Sequence, residues 1–169
     1  MSLVAIGMNH KTASLDIREK FSLDKDESHK ILKKLHSMPI IEEVFLLSTC
    51  NRTEIYCEIH DLRYVKNISR WLLAQKGLSV SQFEEYIYSY SDSSVVNHAL
   101  SVASGLDSMV IGESQILSQL KNAFNEANNA ETIGKNLDRL FQYAFSTAKE
   151  VRTDTKIGAS SLSIANVAV

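Results

Sequence analysis

The chain of 169 residues is poor in residues that break a fold or cross-link it, with one proline, six glycines and two cysteines. So little proline and glycine argues against long linkers and disordered segments. The two cysteines, Cys50 and Cys57, flank one tight connection and do not make a disulfide framework. We therefore expect free thiols, a reducing compartment and a cytoplasmic protein.

An excess of charge of one sign is also missing. Eighteen basic and twenty acidic residues give a formal net charge of -2, so the chain as a whole is not attracted to nucleic acids or membranes. The first residues lack the basic segment and long apolar run of a signal peptide, and no apolar run reaches membrane-spanning length. Hydrophobic residues make up 44% of the chain, which is enough to fill the core of one good-sized domain.

The spacing of apolar residues predicts an α+β fold in two parts. In residues 1–91 it predicts the ferredoxin-like order β-α-β-β-α-β, with strands at 3–9, 43–48, 53–60 and 86–90 and main helices at 14–21, 24–37 and 64–76. In residues 92–155 the period is helical only, with long amphipathic helices at 92–104, 112–129 and 136–155. The last segment, 156–169, starts as another helix and stops in mid-pattern, which indicates a piece of a longer protein.

Cys50 lies in a polar run, 48–53, between the two central predicted strands. Residues 44–47 before it are continuously apolar, as in a buried strand. The strand after it alternates apolar and polar residues, as in a half-buried strand. A thiol at the end of a strand can be exposed to solvent and to a substrate.

The neighbours of Cys50 could also activate its thiol. A free thiol titrates near about pH 8.5, and Arg52, with donors from Thr49 and Asn51, could stabilise the thiolate. The alternative is that Cys50 is a small buried hydrophobe, which is the commoner role of an isolated cysteine. We expect that role for Cys57, which continues the apolar alternation of its strand.

His98 is the second candidate for chemistry. In the helix predicted from residue 92 it lies between Val95 and Val102, on the apolar side. It is either a core histidine with satisfied hydrogen bonds or a group that relays a proton to a thiol or a leaving hydroxyl. The other histidines do not have the spacing of metal ligands, and no metal site is expected.

The segment 105–112, bracketed by glycines, leads into a predicted helix whose first turn contains Glu113 and Gln115, with Gln119 one turn further. Glu113 could bind an ammonium group, and the neighbouring amides and hydroxyls a carboxylate, so the cluster suits a small zwitterion. The alternative is a solvated polar turn that only caps the helix. The dinucleotide pattern G-x-G-x-x-G occurs nowhere in the sequence, so no nucleotide site is expected in this chain.

Four blocks of sequence together resemble glutamyl-tRNA reductase, the first committed enzyme of five-carbon tetrapyrrole synthesis. They follow the family's order and span nearly the whole chain. The blocks are GMNHKTA (7–13) with Arg18-Glu19, LSTCNRTE (47–54), ASGLDS (103–108) continued by GESQIL (112–117), and VRT (151–153) with IGASS (157–161). Ser114 stands where the family often has proline, a variation that the first turn of a helix tolerates.

The resemblance implies a mechanism. The thiol of Cys50 attacks the ester of glutamyl-tRNA(Glu), a thioester forms and the tRNA leaves, and NADPH then delivers hydride to give glutamate-1-semialdehyde. His98 would lie near the thiol and assist proton transfer. The residues expected to bind the glutamate moiety are Thr49, Asn51, Arg52, Ser108, Glu113, Ser114, Gln115 and Gln119.

The resemblance also implies how the chain relates to a whole reductase. Residues 1–155 would form the catalytic glutamyl-recognition domain, and residues 156–169 the start of a linker or spinal helix. The NADPH-binding domain and the domain that forms a homodimer would lie beyond this chain, which would carry the acyl-transfer half only. Glutamate-1-semialdehyde aminotransferase is the further partner that the family suggests.

Two other functions fit parts of the pattern. A ferredoxin-like RNA-binding module needs stacking aromatic and basic residues on its central strands, and the third strand offers Tyr56 between Glu54 and Glu58. A cysteine thioesterase or hydrolase using Cys50 and His98 would share the thioester and lack the hydride step.

Overall fold

The computed structural model describes residues 1–158, and its centre is one antiparallel sheet of four strands. The strands are β1 (Ser2–Asn9), β2 (Ile41–Ser48), β3 (Arg52–Ile59) and β4 (Tyr88–Ser91), and they lie in the order β2-β3-β1-β4. Each neighbouring pair is antiparallel. The predicted α+β class is confirmed. β4 begins later than predicted because a 3-10 turn occupies Glu84–Tyr86.

Seven α-helices surround this sheet within the described residues. They are α1 (Leu15–Phe21), α2 (Lys25–His36), α3 (Val65–Gln75), α4 (Val80–Phe83), α5 (Ser93–Ala103), α6 (Gln115–Asn129) and α7 (Lys135–Asp154). Within residues 1–158, none of these helices combines the length and the apolar character needed to cross a lipid bilayer. Lys156–Gly158 forms a 3-10 turn, and the remainder of the predicted linker segment, 159–169, lies outside the described residues.

The predicted start of α6 is wrong. The helix begins at Gln115 instead of Gly112, so Glu113 precedes it and does not lie in its first turn. Gly112 has φ +81°, a left-handed conformation that a right-handed helix does not contain. A Cβ atom on Gly112 would also collide with the carbonyl oxygen of Ile157. The loop of residues 105–114 therefore packs closely against the last described turn.

The polar face of β3 is buried, whereas the alternation of its residues predicts an exposed face. Glu54 and Tyr56 are both 0% exposed. The Tyr56 ring packs edge-on against Phe141 of α7, with 5.2 Å between ring centroids, and Phe45 of β2 packs on the same phenylalanine at 4.3 Å. An alternating pattern identifies the residues that share a face, but not the distant helix that covers it.

Glu43 of β2 holds the start of α7 in place. Its carboxylate oxygens accept hydrogen bonds from the backbone N–H groups of Asn136 (3.0 Å) and Leu137 (2.7 Å). These are two of the donors that the start of a helix leaves without intrahelical partners, and a negative charge there also favours the helix dipole. Because Glu43 is itself buried in the sheet, it fixes α7 on the face that carries Tyr56.

Candidate active site

Cys50 lies at the apex of the hairpin between β2 and β3, in a turn of residues 49–51 that we call the thiol turn. The backbone N–H of Thr49 donates to the carbonyl oxygen of Arg52 (2.8 Å), and the hydroxyl oxygen of Thr49 accepts from the N–H groups of Asn51 and Arg52 (both 3.2 Å). These bonds satisfy the backbone of a tight turn and leave Cys50 exposed. The predicted exposure at the end of a strand is confirmed. Cys57, in contrast, is 0% exposed, as expected for a core residue.

Arg18 of α1 supports the thiol turn from the side. Its Nε donates to the carbonyl oxygen of Cys50 (3.4 Å), and its Nη1 donates to the carbonyl oxygen of Ala13 (2.8 Å). A cavity of about 330 Å³ opens here, lined by Leu15, Arg18, Glu19, Ser22, Leu23, Ser48, Thr49 and Cys50. Its sequence position gives Arg18 no predicted role at the site, although it stands in the first of the family blocks.

His10 is a second residue near the thiol turn whose role the sequence pattern does not predict. Its backbone N–H donates to the carbonyl oxygen of Asn51 (3.0 Å), which continues the pairing of β1 with β3 by one residue. Burial lowers the pKa of His10, and the charge of Arg52 lowers it further. The imidazole of His10 is therefore neutral at neutral pH.

The guanidinium group of Arg52 binds Glu54 and Asp107, although the sequence predicts that it stabilises a thiolate at Cys50. Arg52 is 2% exposed. Its Nη1 donates to Glu54 Oε1 (2.8 Å), and its Nη2 donates to the backbone oxygen (2.5 Å) and Oδ2 (3.0 Å) of Asp107. Burial by itself would lower the pKa of Arg52, but the charge of Glu54 raises it above its usual value. Arg52 thus joins β3 to the 105–114 loop, and Lys11 binds the other carboxylate oxygen of Asp107.

Glu54 is the centre of a buried group of side chains that we call the Glu54 network: Arg52, Glu54, Tyr56, Tyr88 and His98. Oε1 of Glu54 accepts from Arg52, from the Tyr88 hydroxyl and from His98 Nε2 (2.9 Å), and Oε2 accepts from the Tyr56 hydroxyl (2.6 Å). Burial by itself would raise the pKa of Glu54, but the hydrogen bond from His98 and the charge of Arg52 lower it to about 2. Glu54 is therefore ionised at neutral pH.

The tyrosines of the network remain protonated donors. Burial raises the pKa of Tyr56 and of Tyr88, and the neighbouring charge of Glu54 raises both further. The His98 ring is buried among them, with 4.6 Å between its centroid and that of Tyr90 and 5.6 Å to that of Tyr88. The sequence predicts the apolar side of α5 for His98, which the structure confirms, but it does not predict the carboxylate there.

The other expected substrate residues lie in the 105–114 loop, at the start of α6 and in the cavity between α2 and α6. Ser108 is half-buried beside Asp107, in the loop that Arg52 contacts. Glu113 accepts a hydrogen bond at its backbone oxygen from Arg152 (2.9 Å). Ser114 occupies the cap position of α6 without a side-chain cap bond, and Gln115 is exposed on its first turn.

Gln119 lies on the wall of a separate cavity of about 520 Å³ between α2 and α6. This cavity shares Leu23 and Ser48 with the cavity beside Cys50. Gln119 therefore lines the neighbouring cavity, and the thiol cavity does not include it.

The described residues do not fit two kinds of cofactor. Within residues 1–158 there is no group of three or more histidine, cysteine, aspartate or glutamate side chains placed to hold a metal ion. A dinucleotide site of the Rossmann kind needs parallel strands and a glycine-rich turn, whereas the neighbouring strands described here are all antiparallel.

The structure is an α+β domain with an exposed cysteine on a hydrogen-bonded turn, a position from which a thiol can react with a substrate. The family model for the N-terminal domain of glutamyl-tRNA(Glu) reductase matches residues 6–155. The chain belongs to this family.

Similar proteins are glutamyl-tRNA reductases. Those of Shewanella baltica (strain OS155) and Shewanella frigidimarina are each 48% identical over all 169 residues of this chain. A solved structure of glutamyl-tRNA reductase from Methanopyrus kandleri is 29% identical, with a TM-score of 0.76 over 96% of this chain and 37% of that one. The chain spans 40% of the length of the Shewanella relatives.

Proposed function

We propose that this chain is the part of a glutamyl-tRNA reductase that takes the glutamyl group from glutamyl-tRNA(Glu) onto Cys50. The observation that carries the proposal is the exposed thiol on its supported turn, in a chain of this family. The Cys50 sulfur forms a bond to the ester carbonyl carbon, and the bond from this carbon to the ribose oxygen of the tRNA breaks. The thiol loses its proton and the ribose oxygen takes up one, which leaves a glutamyl thioester and free tRNA.

The remaining site residues are assigned to binding and proton transfer. We assign His98 to proton transfer, and Thr49 and Asn51, which flank the thiol, to the glutamyl group. Arg52 is assigned to the glutamyl group as well, through the turn that its backbone closes, because its guanidinium is buried and bound to Glu54 and Asp107. The other proposed substrate residues are Ser108, Glu113, Ser114, Gln115 and Gln119.

We propose further that the hydride for reduction of the thioester comes from a domain that is not part of this chain. The domain assignment is a catalytic glutamyl-recognition domain at 1–155, with a ferredoxin-like sheet part at about 1–91 and a helical part at about 92–155, followed by the start of a linker at 156–169. The strand order β2-β3-β1-β4 supports the ferredoxin-like assignment. In the whole protein a further domain would bind NADPH and supply hydride, and another would form a homodimer.

The proposed function also places the protein in tetrapyrrole synthesis in the cytoplasm, where glutamate-1-semialdehyde aminotransferase would take over the aldehyde.

An RNA-binding module is disfavoured because the Tyr56 ring, which would have to stack on bases, is covered by Phe141. A thioesterase or hydrolase shares the first step and differs in the second, because it transfers the glutamyl group to water.

The proposal is tested with the 169-residue chain and glutamyl-tRNA carrying labelled glutamate. Label should move to the wild-type protein and to Cys57→Ser, and not to Cys50→Ser, while NADPH stays unoxidised. Rapid release of free glutamate would favour a hydrolase. Oxidation of NADPH by this chain alone would contradict the division of the reaction between domains.

A further inference from the structure

Arg52 and His98, two of the residues proposed for the site, are bound to the same carboxylate oxygen. Arg52 Nη1 lies 2.8 Å from Glu54 Oε1, and His98 Nε2 lies 2.9 Å from it. Both are good hydrogen-bond distances, and the three side chains are at most 9% exposed. Glu54 therefore links the strand that follows Cys50 to the helix α5.

The chemistry of the carboxylate decides where the proton of His98 lies. An ionised carboxylate accepts hydrogen bonds and donates none. His98 Nε2 must therefore carry a hydrogen, and the lone pair of the neutral ring is on Nδ1. If His98 moves a proton during acylation, Nδ1 is the atom that takes it up.

The surroundings of the His98 ring agree with this assignment. The titratable side chains in contact with it are Glu54 and Tyr56 of β3 and Tyr88 and Tyr90 of β4, and Arg52 binds the same Glu54 oxygen. The hydroxyls of Tyr56 and Tyr88 both donate to Glu54. Among the described residues, Glu54 is the carboxylate that bonds to the imidazole.

Glu54 also acts on the thiol turn through Arg52. The backbone of Arg52 closes that turn, since its N–H donates to Thr49 Oγ1 (3.2 Å) and its carbonyl oxygen accepts from the N–H of Thr49 (2.8 Å). The guanidinium of the same residue is bound to Glu54. One buried carboxylate thus holds both the closing residue of the thiol turn and the histidine.

We propose that Glu54 is a positioning residue for thioester formation: it fixes the proton of His98 on Nε2, which leaves Nδ1 as the basic atom, and through Arg52 it fixes the turn that carries Cys50. This inference rests on the proposed function for its catalytic part. Its structural part, the position of the His98 proton, concerns the protein without substrate and is tested independently of the proposed function.

The structural part is tested by nitrogen NMR of histidine-labelled protein above neutral pH. His98→Gln identifies the His98 signals by their loss, because the chain has four other histidines. We expect the directly bonded hydrogen of neutral His98 on Nε2. A ring that carries its hydrogen on Nδ1, or exchanges freely between the two forms, would overturn the inference in the unmodified protein, without any folding question.

The catalytic part is tested by comparing Glu54→Gln with Glu43→Gln. Both substitutions neutralise a buried glutamate of the sheet, but Glu43 bonds to backbone N–H groups of α7 and lies outside the Glu54 network. We expect E54Q to bind glutamyl-tRNA and to form the thioester at least about ten-fold more slowly, because a positioned acid–base group contributes about 10²–10⁴-fold and part of that is lost when it is misplaced. E43Q should lose stability and acylate at the wild-type rate.

The outcomes separate the two proposals. If the wild-type chain forms no thioester, the proposed function fails while the NMR result still decides the position of the proton. If the wild-type chain is acylated and E54Q is acylated as fast as E43Q, the positioning role of Glu54 is refuted. If E54Q does not fold, Glu54→Asp, which keeps the charge and shortens the reach, replaces it, and a wild-type rate of acylation by that folded variant counts against the proposal.

Discussion

Gly7 of β1 and Glu54 of β3 lie directly opposite each other in the sheet, and the missing side chain of Gly7 makes room for the buried carboxylate. A Cβ atom at position 7 would lie 2.7 Å from Glu54 Cγ and 2.7 Å from the carbonyl oxygen of Thr53. Such distances require neighbouring atoms to move. The space for the Glu54 network is therefore set by a glycine on the adjacent strand.

Gly7→Ala should destabilise the protein by disturbing Glu54. Overpacking of a filled interior costs about 1–3 kcal/mol, which urea unfolding would measure. The NMR signals of His98 should shift as well. Gly77→Ala is the control, because a Cβ there meets no atom within 4 Å and the cost comes from its φ of +66°; it should leave the His98 signals in place. Unshifted His98 signals in Gly7→Ala would contradict this account of the glycine.

Arg52→Gln should destabilise the protein more strongly. It leaves the carboxylates of Glu54 and Asp107 without their guanidinium partner, and removing one member of a buried ion pair costs about 3–5 kcal/mol. Arg63→Gln breaks the pair of Arg63 with Asp61 on the surface, where the Arg63 side chain is 87% exposed, and should not change the urea midpoint measurably. Equal urea midpoints for the two variants would show that the buried ion pairs of Arg52 contribute no more to stability than the surface pair of Arg63.

Stability should fall in acid because of Glu54. Its pKa is lowered to about 2 from an ordinary value of 4.5, so the native state favours the ionised form. That contribution is fully present above the ordinary pKa and is lost as the pH falls through the folded-state pKa. In urea unfolding at pH 7, 5 and 3, the difference in stability between the wild type and Glu54→Gln should narrow as the pH falls. A difference that stays constant over this range would be inconsistent with a lowered pKa.

Iodoacetamide should modify Cys50 and spare Cys57 in the native protein. Cys50 is exposed, whereas Cys57 is fully buried and burial raises its pKa to about 12, which removes the reactive thiolate. Peptide mapping by mass spectrometry measures both sites, and unfolding in urea should make both reactive. Equal labelling of the two native thiols would mean that β3 opens readily, contrary to its buried position.

Much of the fold follows from local patterns in the sequence. The apolar run before Cys50 and the alternation after it locate β2 and β3, and the helical spacing of residues 24–37 locates α2. These features depend on residues close together in the chain, whose spacing is visible directly.

The candidate site is only partly predictable, because most of its contacts join residues that are far apart in the chain. Cys50 is found because a strand ends there. The burial of Glu54 depends on α5 and α7, which fold back over the sheet, and the partner of Arg52 is Asp107, far along the chain. A polar residue in an alternating strand looks the same whether its face meets water or a distant helix. The start of α6 is missed because the helical spacing continues through Gly112, whose left-handed conformation and close approach to Ile157 the spacing does not show.

The role of Cys50 as the nucleophile is tested most directly by mass spectrometry of the 169-residue chain after mixing with glutamyl-tRNA and quenching in acid. We predict one glutamyl group per chain, mapped to the peptide that contains Cys50 and released by hydroxylamine as expected for a thioester. The adduct should be absent from Cys50→Ser and present in Cys57→Ser. A glutamyl adduct that persists in Cys50→Ser, or one found elsewhere in the wild type, would contradict the assignment of Cys50 as the nucleophile.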